Sequence, residues 1–525
     1  MSKLGSRSAL LAALLGLATG CASAPTADLA PPAALSDMPP PLVPASELPS
    51  NAVENAVAKL DDIANELMEK SGIPGMAVAV VHGGKTLYAK GFGVADVRNG
   101  QKIDSDTVFQ LASVSKSLGA TVVAHQVGEH AIDWDTPVVS KLPWFALSDP
   151  AVTAMVTVGD MYSHRSGLPD HAGDLLEDLG YDRRHVLEQL RQLPLEQFRT
   201  SYAYTNFGLT AAAEAVAVGA GKSWEDLSEE VLYQPLGMTS TSSRFDDFAV
   251  RPNHAVGHIH IDGRYEPRYV RDPGPEAPAG GASSSVNDMT HWLTMMLANG
   301  NYGGEKIVDP AALLPAVTPQ SVSGRGTEPA MRSGFYGYGF NVSSTSGARM
   351  MLSHSGAFEL GAATNFVILP SADVAIVALT NATPAGVPEA LTAQFADLVQ
   401  FGKVRQDWYA LYNAKLAPGE NPVGSLVGRQ PPAHPAPAAP PSSYVGSYHN
   451  DYWGPATVSE RGGELALSLG PRGDTFRLKH WDGGVFTFEM VTENAPPGTV
   501  SKASFDGNAL TLEYYDTFGK GTFTR

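Results

Sequence analysis

A proline-rich stretch at residues 430–443, QPPAHPAPAAPPSS, divides the chain into two parts of different character. Such a composition cannot bury a core, so it predicts an extended linker. Before it, apolar runs alternate with amphipathic segments. After it, short β-rich runs are separated by closely spaced turn signals, at Gly462-Gly463, Gly470–Asp474, Asp482–Gly484, Pro496–Gly498 and Asp506–Asn508. The pattern predicts a large domain followed by a small all-β barrel or sandwich.

The large region contains signals for both helices and strands. A helix is predicted at Ala52–Lys70, and a hairpin follows in which the apolar run Met76–Val81 turns at Gly83-Gly84 and returns along Lys85–Gly91. A continuous apolar run is typical of a strand covered on both faces. Further helical patterns lie near 116–129, 184–192, 207–218 and 286–298, and strand patterns at 338–342, 349–354, 362–369 and 374–379. We therefore expect an α+β fold, an antiparallel sheet flanked by helices with a mostly helical insertion.

The first residues have the pattern of an export signal. Lys3 and Arg7 precede the apolar run Ala9–Ala18, which is too short to span a bilayer. The sequence Ala18-Thr19-Gly20-Cys21 resembles a bacterial lipobox, whereas Ala22-Ser23-Ala24 fits ordinary signal cleavage and would give a plain secreted protein.

Cys21 is the only cysteine of the chain, which favours the lipobox interpretation. We expect Cys21 to be the lipid-modified first residue of a periplasmic, membrane-anchored lipoprotein. Residues 22–50 are rich in Ala and Pro and are predicted to form its tether.

The acidic composition limits the partners that we expect. The net charge of −18 argues against a nucleic-acid partner, because phosphate binding needs clustered Lys and Arg. No metal or cofactor is predicted, since the histidines at 254, 258 and 260 have no second ligand cluster to support them. The sequence gives no signal for an oligomeric state.

Ser113 and Lys116 form the first candidate catalytic pair, at the start of a predicted helix. Residues three apart lie on one face of a helix, so the lysine would sit beside the serine hydroxyl. Serine needs a neighbour that takes its proton, and a lysine desolvated in a pocket can do so. The spacing alone is a weak signal, and the alternative is a solvated lysine at an exposed helix start.

Tyr204 and Asn206 open another helical run. A tyrosine near a lysine can be held partly as phenolate and can relay a proton to a leaving group. An asparagine amide two residues on can donate to a substrate carbonyl and also hold the lysine. The alternative is a tyrosine packed by its ring.

A third candidate segment, His354-Ser355-Gly356-Ala357, is expected where the strand 349–352 ends. A strand edge there can dock an extended substrate, and the N–H of Ala357 could join that of Ser113 to hold an oxyanion. By itself a His-Ser-Gly sequence is more often a turn than a site.

In this order and at these separations, the three motifs resemble the serine β-lactamase and penicillin-binding-protein family. The resemblance is closest to its class C β-lactamase, D-aminopeptidase and esterase branch, and it covers about Asn55 to Val399. Three other stretches also fit that branch, at 164–169, 234–238 and 278–281. It implies that Ser113 is the nucleophile and Lys116 its base. Tyr204 and Asn206 would be the tyrosine and asparagine of the second motif, and His354-Ser355-Gly356 would stand where the family often has Lys-Thr-Gly.

The histidine of the third motif distinguishes between functions. A lysine there is a fixed charge that pairs with the carboxylate of a β-lactam, whereas His354 is expected to be largely neutral at pH 7. We therefore predict a peptidase, amidase or esterase that acts on small-molecule or peptide substrates through a Ser113 acyl-enzyme. The alternatives are a true class C-like β-lactamase and a non-catalytic penicillin-binding or sensor protein.

The predicted domains follow from these segments. A signal peptide at 1–21 and a linker at 22–50 precede a β-lactamase-like catalytic domain at 51–405. A linker at 406–443 leads to a small β-barrel domain at 444–525, which resembles the lipocalin-like barrel appended to some hydrolases of this branch.

Overall fold

A nine-stranded antiparallel sheet organises the first part of the computed structural model, which describes residues 46–525. Its strands are ordered β10-β11-β12-β13-β14-β15-β1-β2-β3, so the first and last strands of the region are neighbours. Three two-stranded pairs, β4-β7, β5-β6 and β8-β9, lie outside it. The strands are β1 Gly75–His82, β2 Lys85–Asp96, β3 Gln101–Lys102, β4 Phe109–Gln110, β5 Ile259–Ile261, β6 Arg264–Glu266, β7 Ser283–Ser284, β8 Asn301–Tyr302, β9 Glu305–Lys306, β10 Ser321–Gly324, β11 Gly334–Tyr336, β12 Asn341–Ser344, β13 Met350–Phe358, β14 Ala362–Leu369 and β15 Val374–Thr380.

Helices cover both faces of the sheet, as the apolar run at Met76–Val81 predicts. Met76, Val78 and Val80 pack in one core, while the alternate residues of β1 pack in the other. The α-helices are α1 Ala52–Val57, α2 Leu60–Ser71, α3 Ser115–Gly128, α4 Val138–Lys141, α5 Pro150–Met155, α6 Val158–Tyr162, α7 Asp174–Asp178, α8 Arg183–Gln189, α9 Asn206–Gly219, α10 Trp224–Ser228, α11 Phe245–Val250, α12 Ala277–Gly280, α13 Val286–Leu297, α14 Pro310–Leu313, α15 Val387–Phe401 and α16 Trp408–Leu416.

The two cores divide the helices between the faces. Helices α1, α2 and α15 contribute to one core, and α3 and α13 contribute to the other. The short helices between α3 and α13 form the helical insertion, in which α4, α6 and α12 pack against the buried α9. The predicted α+β architecture is confirmed. None of the helices within residues 46–525 is long and apolar enough to cross a membrane.

Two predicted elements differ from the structure. The single helix predicted at Ala52–Lys70 is two helices, because the N–H of Lys59 bonds to the carbonyl of Ala56, three residues back, and interrupts the α pattern. Strand β13 does not end at 352 but continues to Phe358, because β14 pairs with it up to the contact of Phe358 with Ala362. The third motif therefore lies inside a strand.

The last part of the chain is a closed eight-stranded barrel, which confirms the prediction of a small all-β domain. Its interior is filled by alternate apolar residues such as Val458, Leu467 and Phe488, and closure leaves no free sheet edge. The strands are β16 Gly446–Asn450, β17 Gly454–Arg461, β18 Glu464–Leu469, β19 Asp474–Asp482, β20 Val485–Thr492, β21 Ala495–Asp506, β22 Ala509–Leu512 and β23 Thr522–Thr524.

The segment between the domains is partly ordered by helix α16. The Trp408 indole N–H donates to Asp397 Oδ2 at 2.8 Å and so fastens α16 to α15. The region predicted as linker, 406–443, thus begins with a helix packed on the first domain, and its proline-rich part is mostly exposed. The signal segment, Cys21 and most of the tether predicted at 22–50 lie outside the described residues.

Candidate active site

Ser113 lies in a short 3-10 turn, Ala112–Val114, immediately before α3. Ala112 has φ of 46°, a left-handed conformation that is uncommon for a residue with a side chain. Gly356 on β13 permits the close approach, because a Cβ atom there would lie 2.1 Å from the Leu111 carbonyl oxygen and 3.0 Å from Ser113 N. The half-buried Ser113 side chain is therefore placed against the third motif by a strained turn and a glycine.

Lys116 is fully buried and points its ammonium group at Ser113. Its Nζ donates to Ser113 Oγ at 3.0 Å, to Asn206 Oδ1 at 2.7 Å and to the Ala279 carbonyl at 3.0 Å. Burial lowers the pKa of Lys116 to about 8, although the charges of Glu276 and Asp174 oppose the shift. A neutral amine is thus accessible near physiological pH, beside the serine whose proton it would take.

Tyr204 is the second group on the serine, and its hydroxyl donates to Ser113 Oγ at 2.8 Å. Its ring packs against that of His164, and Lys116 Nζ lies 4.6 Å from the ring centroid. Burial raises the pKa of Tyr204 well above 10, so the partial phenolate expected from the sequence is wrong. These two shifts favour a protonated Tyr204 beside a lysine that can lose its proton.

Asn206 begins α9 and connects Lys116 to an acidic residue. Its Nδ2 donates to Asp174 Oδ2 at 2.9 Å, which fixes the amide with its oxygen towards Lys116. His171 Nδ1 donates to the same Asp174 oxygen at 2.8 Å, and Asp174 raises the pKa of His171 to about 9. A chain of hydrogen bonds therefore runs from His171 to Lys116, and it fixes Asn206 in the orientation that holds the lysine.

His354 of the third motif is buried beside the site and does not line the cleft. Its Nδ1–H donates to the Ser355 carbonyl at 2.7 Å, and its Nε2 accepts from the Tyr336 hydroxyl at 2.7 Å. Burial and the nearby Lys116 lower the pKa of His354 to about 3, so the ring is neutral. Its ring packs among the rings of Tyr336, Tyr204 and His164.

The predicted residues Ser113, Tyr204, Asn206, Ser355 and Ala357 all face one cleft with a volume of about 290 Å³. Ser355 is held by Asn365, whose Nδ2 donates to Ser355 Oγ at 3.0 Å. Gly356 is buried and lies between Ser355 and Ala357, which both reach the cleft. Sequence reasoning missed the remaining lining residues, His171, Asp174, Glu177, Arg271, Glu276, Phe358, Glu359, Glu493 and Asn494. Two of these, Glu493 and Asn494, come from the barrel. No short motif marks them, because only the fold brings them to Ser113.

Comparison with known families identifies both parts of the chain. The family described as Beta-lactamase matches residues 60–401. A second family, described as a Domain of unknown function (DUF3471), matches residues 430–517.

Individual relatives give the same assignment. Unguisins hydrolase ungD' from Aspergillus campestris (strain IBT 28561) is 27% identical over 411 residues, 75% of each protein. Esterase EstB from Burkholderia gladioli is 26% identical over 386 residues, which cover 65% of this chain and 94% of the esterase. Among solved structures, the octameric penicillin-binding protein homologue from Pyrococcus abyssi superposes on this chain with a TM-score of 0.59 and 18% identity. The match covers 89% of this chain and 100% of that one. At that identity the last likeness shows the fold alone.

Proposed function

Because the chain belongs to the beta-lactamase family of serine hydrolases, we propose that it cleaves amide or ester bonds through an acyl group carried on Ser113. The observation that supports this best is the double contact on Ser113 Oγ, with Lys116 Nζ at 3.0 Å and the Tyr204 hydroxyl at 2.8 Å. A serine with a lysine of lowered pKa on one side and a proton donor on the other has the groups that acyl transfer requires.

In the acylation step, neutral Lys116 takes the Ser113 proton as Oγ attacks the substrate carbonyl. The negative charge that develops on the carbonyl oxygen is bound by the N–H groups of Ser113 and Ala357. The bond from carbon to the leaving group then breaks, Tyr204 gives its proton to that group, and Lys116 returns a proton to Tyr204.

In the deacylation step, water attacks the acyl carbon and gives up a proton to Lys116. The bond to Oγ breaks, Ser113 regains a proton, and the carboxylic acid product leaves. Within this scheme Asn206 holds Lys116 in place and takes no part in proton transfer, because its amide is fixed by hydrogen bonds between Lys116 and Asp174.

The substrate class follows from the third motif. His354 is neutral and buried, so it offers no charge to a substrate carboxylate. This favours a peptidase, amidase or esterase over an enzyme that selects β-lactams by their carboxylate. Two of the relatives, a hydrolase and an esterase by name, agree with that choice.

For its location we propose an exported protein that is anchored in the periplasm by a lipid on Cys21. The support is the lipobox-like sequence and the single cysteine. The mass of the mature protein from bacterial membranes tests this, since a lipid-modified chain would begin at Cys21. A soluble chain that begins at Pro25 would contradict it.

The experiment that tests the proposed activity is intact-mass analysis after brief exposure to a fluorophosphonate probe and, separately, to penicillin. We expect one probe adduct on the wild-type protein and none on Ser113→Ala. A lasting penicillin adduct would identify a slow acyl-enzyme, and rapid loss of that adduct with turnover would instead identify a β-lactamase. Labelling of the alanine variant at the wild-type rate would overturn the assignment of Ser113.

A further inference from the structure

Two buried carboxylates lie close to Lys116. One is Asp174, which Lys116 reaches through Asn206, with 2.7 Å from Nζ to the amide oxygen and 2.9 Å from the amide nitrogen to Asp174 Oδ2. The other is Glu276, the N-cap of the short helix α12, whose Ala279 carbonyl accepts from Lys116 Nζ. The side chains of the two acidic residues are 6% and 4% exposed. Their charges raise the pKa of Lys116 and so oppose its action as a base.

This arrangement sets an electrostatic requirement on the site. A lysine takes a proton only in its neutral form, and a nearby carboxylate without a counter-ion keeps the lysine protonated. Burial of Lys116 therefore makes it a base at neutral pH most effectively when other cations neutralise the two carboxylates.

Glu276 has its counter-ion in Arg271. Arg271 Nη2 lies 2.7 Å from Glu276 Oε1 and 2.7 Å from Glu177 Oε2. Its Nε lies 3.7 Å from Glu493, which is in the turn of the barrel between β20 and β21. The guanidinium is buried and permanently charged, so the charge of Glu276 is already offset.

Asp174 has its counter-ion in His171. His171 Nδ1 donates to Asp174 Oδ2 at 2.8 Å, the same oxygen that accepts from Asn206. Asp170 Oδ2 lies 3.9 Å from the other ring nitrogen of His171. The hydrogen bond to Asp174 raises the pKa of His171 to about 9, although the charge of Lys116 opposes the shift. The imidazole is therefore a cation at neutral pH.

The position of His171 is fixed by the backbone of the second motif. Its N–H donates to the Tyr204 carbonyl at 2.8 Å, and its φ of 54° lies in the left-handed region that histidine and asparagine adopt more readily than most residues. The Tyr204 ring lies 5.8 Å from the His171 ring and 4.6 Å from Lys116 Nζ. The two cations are thus separated by about 10 Å or less, a distance over which charges interact inside a protein.

The other titratable rings around Lys116 are neutral. Burial lowers the pKa of His354 to about 3 and that of His164 well below 6.5. Burial also raises the pKa of Tyr204 well above 10. None of these three rings can therefore offset the charge of Asp174.

We propose that His171 is a positioning residue for acylation, which neutralises Asp174 and so allows Lys116 to lose its proton. The proposal rests on the proposed serine hydrolase function and adds a residue to its mechanism. His171 acts through Asp174 and Asn206, so the role requires no contact between its ring and the substrate.

His171→Asn tests the proposal. The asparagine Nδ2 can take the place of the imidazole Nδ1 and donate to Asp174, but it carries no charge. Asparagine also tolerates the left-handed backbone. The measurement is the rate at which a fluorophosphonate labels Ser113 between about pH 6 and about pH 10, followed by intact mass.

Without the imidazolium, Asp174 should keep Lys116 protonated to higher pH. A unit charge about 10 Å away, partly screened because the His171 side chain is 54% exposed, moves an inflection by about half to one pH unit. We expect the inflection near pH 8 to move upward by that amount. Labelling at pH 7 should then slow by about three- to tenfold.

Asp174→Asn should move the inflection in the opposite direction. It keeps an oxygen that can accept from Asn206 and removes the charge near Lys116, so the lysine loses its proton at lower pH. When His171→Asn is added to this variant, we expect no further shift, because no carboxylate remains for the imidazolium to neutralise. This dependence of one substitution on the other is the signature of a residue that acts through Asp174.

His449→Asn is the matched control. His449 Nε2 lies 3.4 Å from Asp451 Oδ1 in an exposed pair on the barrel. We expect the pH profile of this variant to superpose on that of the wild-type protein. If His171→Asn loses its thermal unfolding transition, His171→Gln repeats the measurement, since its amide also donates without a charge.

The outcomes separate the two proposals. An inflection that stays in place in His171→Asn, with or without slower labelling at every pH, would refute the role of His171 and leave the hydrolase function standing. An equal upward shift in the presence and absence of Asp174→Asn would also refute it. No fluorophosphonate adduct on wild-type Ser113 at any pH would instead reject the proposed function.

Discussion

The protonation of Lys116 should set the pH dependence of Ser113 acylation. Only the neutral lysine can take the serine proton, and burial lowers its pKa to about 8. With that value the neutral fraction is about 1% at pH 6, about 9% at pH 7 and about 50% at pH 8. We therefore expect the labelling rate of Ser113 to rise about 50-fold from pH 6 to pH 8 and only about twofold more above it.

The assay is the rate of fluorophosphonate labelling, because the probe has no group that titrates in this range. A phenolate base would give a different profile. Burial raises the pKa of Tyr204 well above 10, so a rate that depended on its phenolate would climb about tenfold per unit through pH 10. A flat profile, or one still rising at pH 10, would refute Lys116 as the base.

Two variants each remove a carboxylate that titrates in the same pH range as Lys116. Glu359→Gln and Glu493→Gln should each leave the inflection near pH 8, because neither carboxylate is hydrogen-bonded to Lys116. Tyr204→Phe should slow labelling of Ser113 and keep the same inflection. If either glutamine variant lost the inflection, the inflection would belong to the carboxylate that was replaced and not to Lys116.

Three further substitutions test other parts of the site. Ser113→Ala should abolish ester turnover and keep the wild-type melting temperature; residual turnover near the wild-type rate would contradict the mechanism. Gly356→Ala would place a Cβ 2.1 Å from the Leu111 carbonyl, so we expect a loss of about 1–3 kcal/mol in unfolding free energy and slower Ser113 labelling. Arg271→Met leaves Glu177 and Glu276 buried without their cation and should cost about 3–5 kcal/mol in urea unfolding. Because burial raises the pKa of both glutamates above the unfolded value, this loss should be larger at pH 8 than at pH 5, and a loss independent of pH would contradict the argument.

The sequence predicts those parts of the molecule that depend on local pattern. The run at Met76–Val81 indicates a strand buried on both faces, and β1 occupies that position between β15 and β2. The spacing of Ser113 and Lys116 places both on one side of a helix start, as their 3.0 Å contact requires. The second motif is 90 residues away, and only the likeness to a known family connects it to the first.

The rest of the site depends on burial and on contacts between distant segments. A pKa well above 10 for Tyr204 comes from its surroundings, which no local pattern of residues encodes. His354 lies inside a strand because β14 pairs beyond it, and that pairing is a tertiary feature. The contact of Glu493 with Glu359 joins residues 134 positions apart, in domains separated by a proline-rich segment, so no sequence spacing can predict it.

The contact between these two glutamates also connects the two domains at the cleft. A lysine at the position of His354 would place a fixed positive charge on this strand. Here His354 is neutral and buried, and the far end of the same strand instead meets the carboxyl groups of Glu359 and, from the barrel, Glu493. Because the backbone N–H groups of Glu359 and Leu360 hold Glu493, displacement of the barrel turn would move a cleft carboxylate and release the end of β13 together. The barrel turn is thus connected by hydrogen bonds to the end of the strand that carries Ala357.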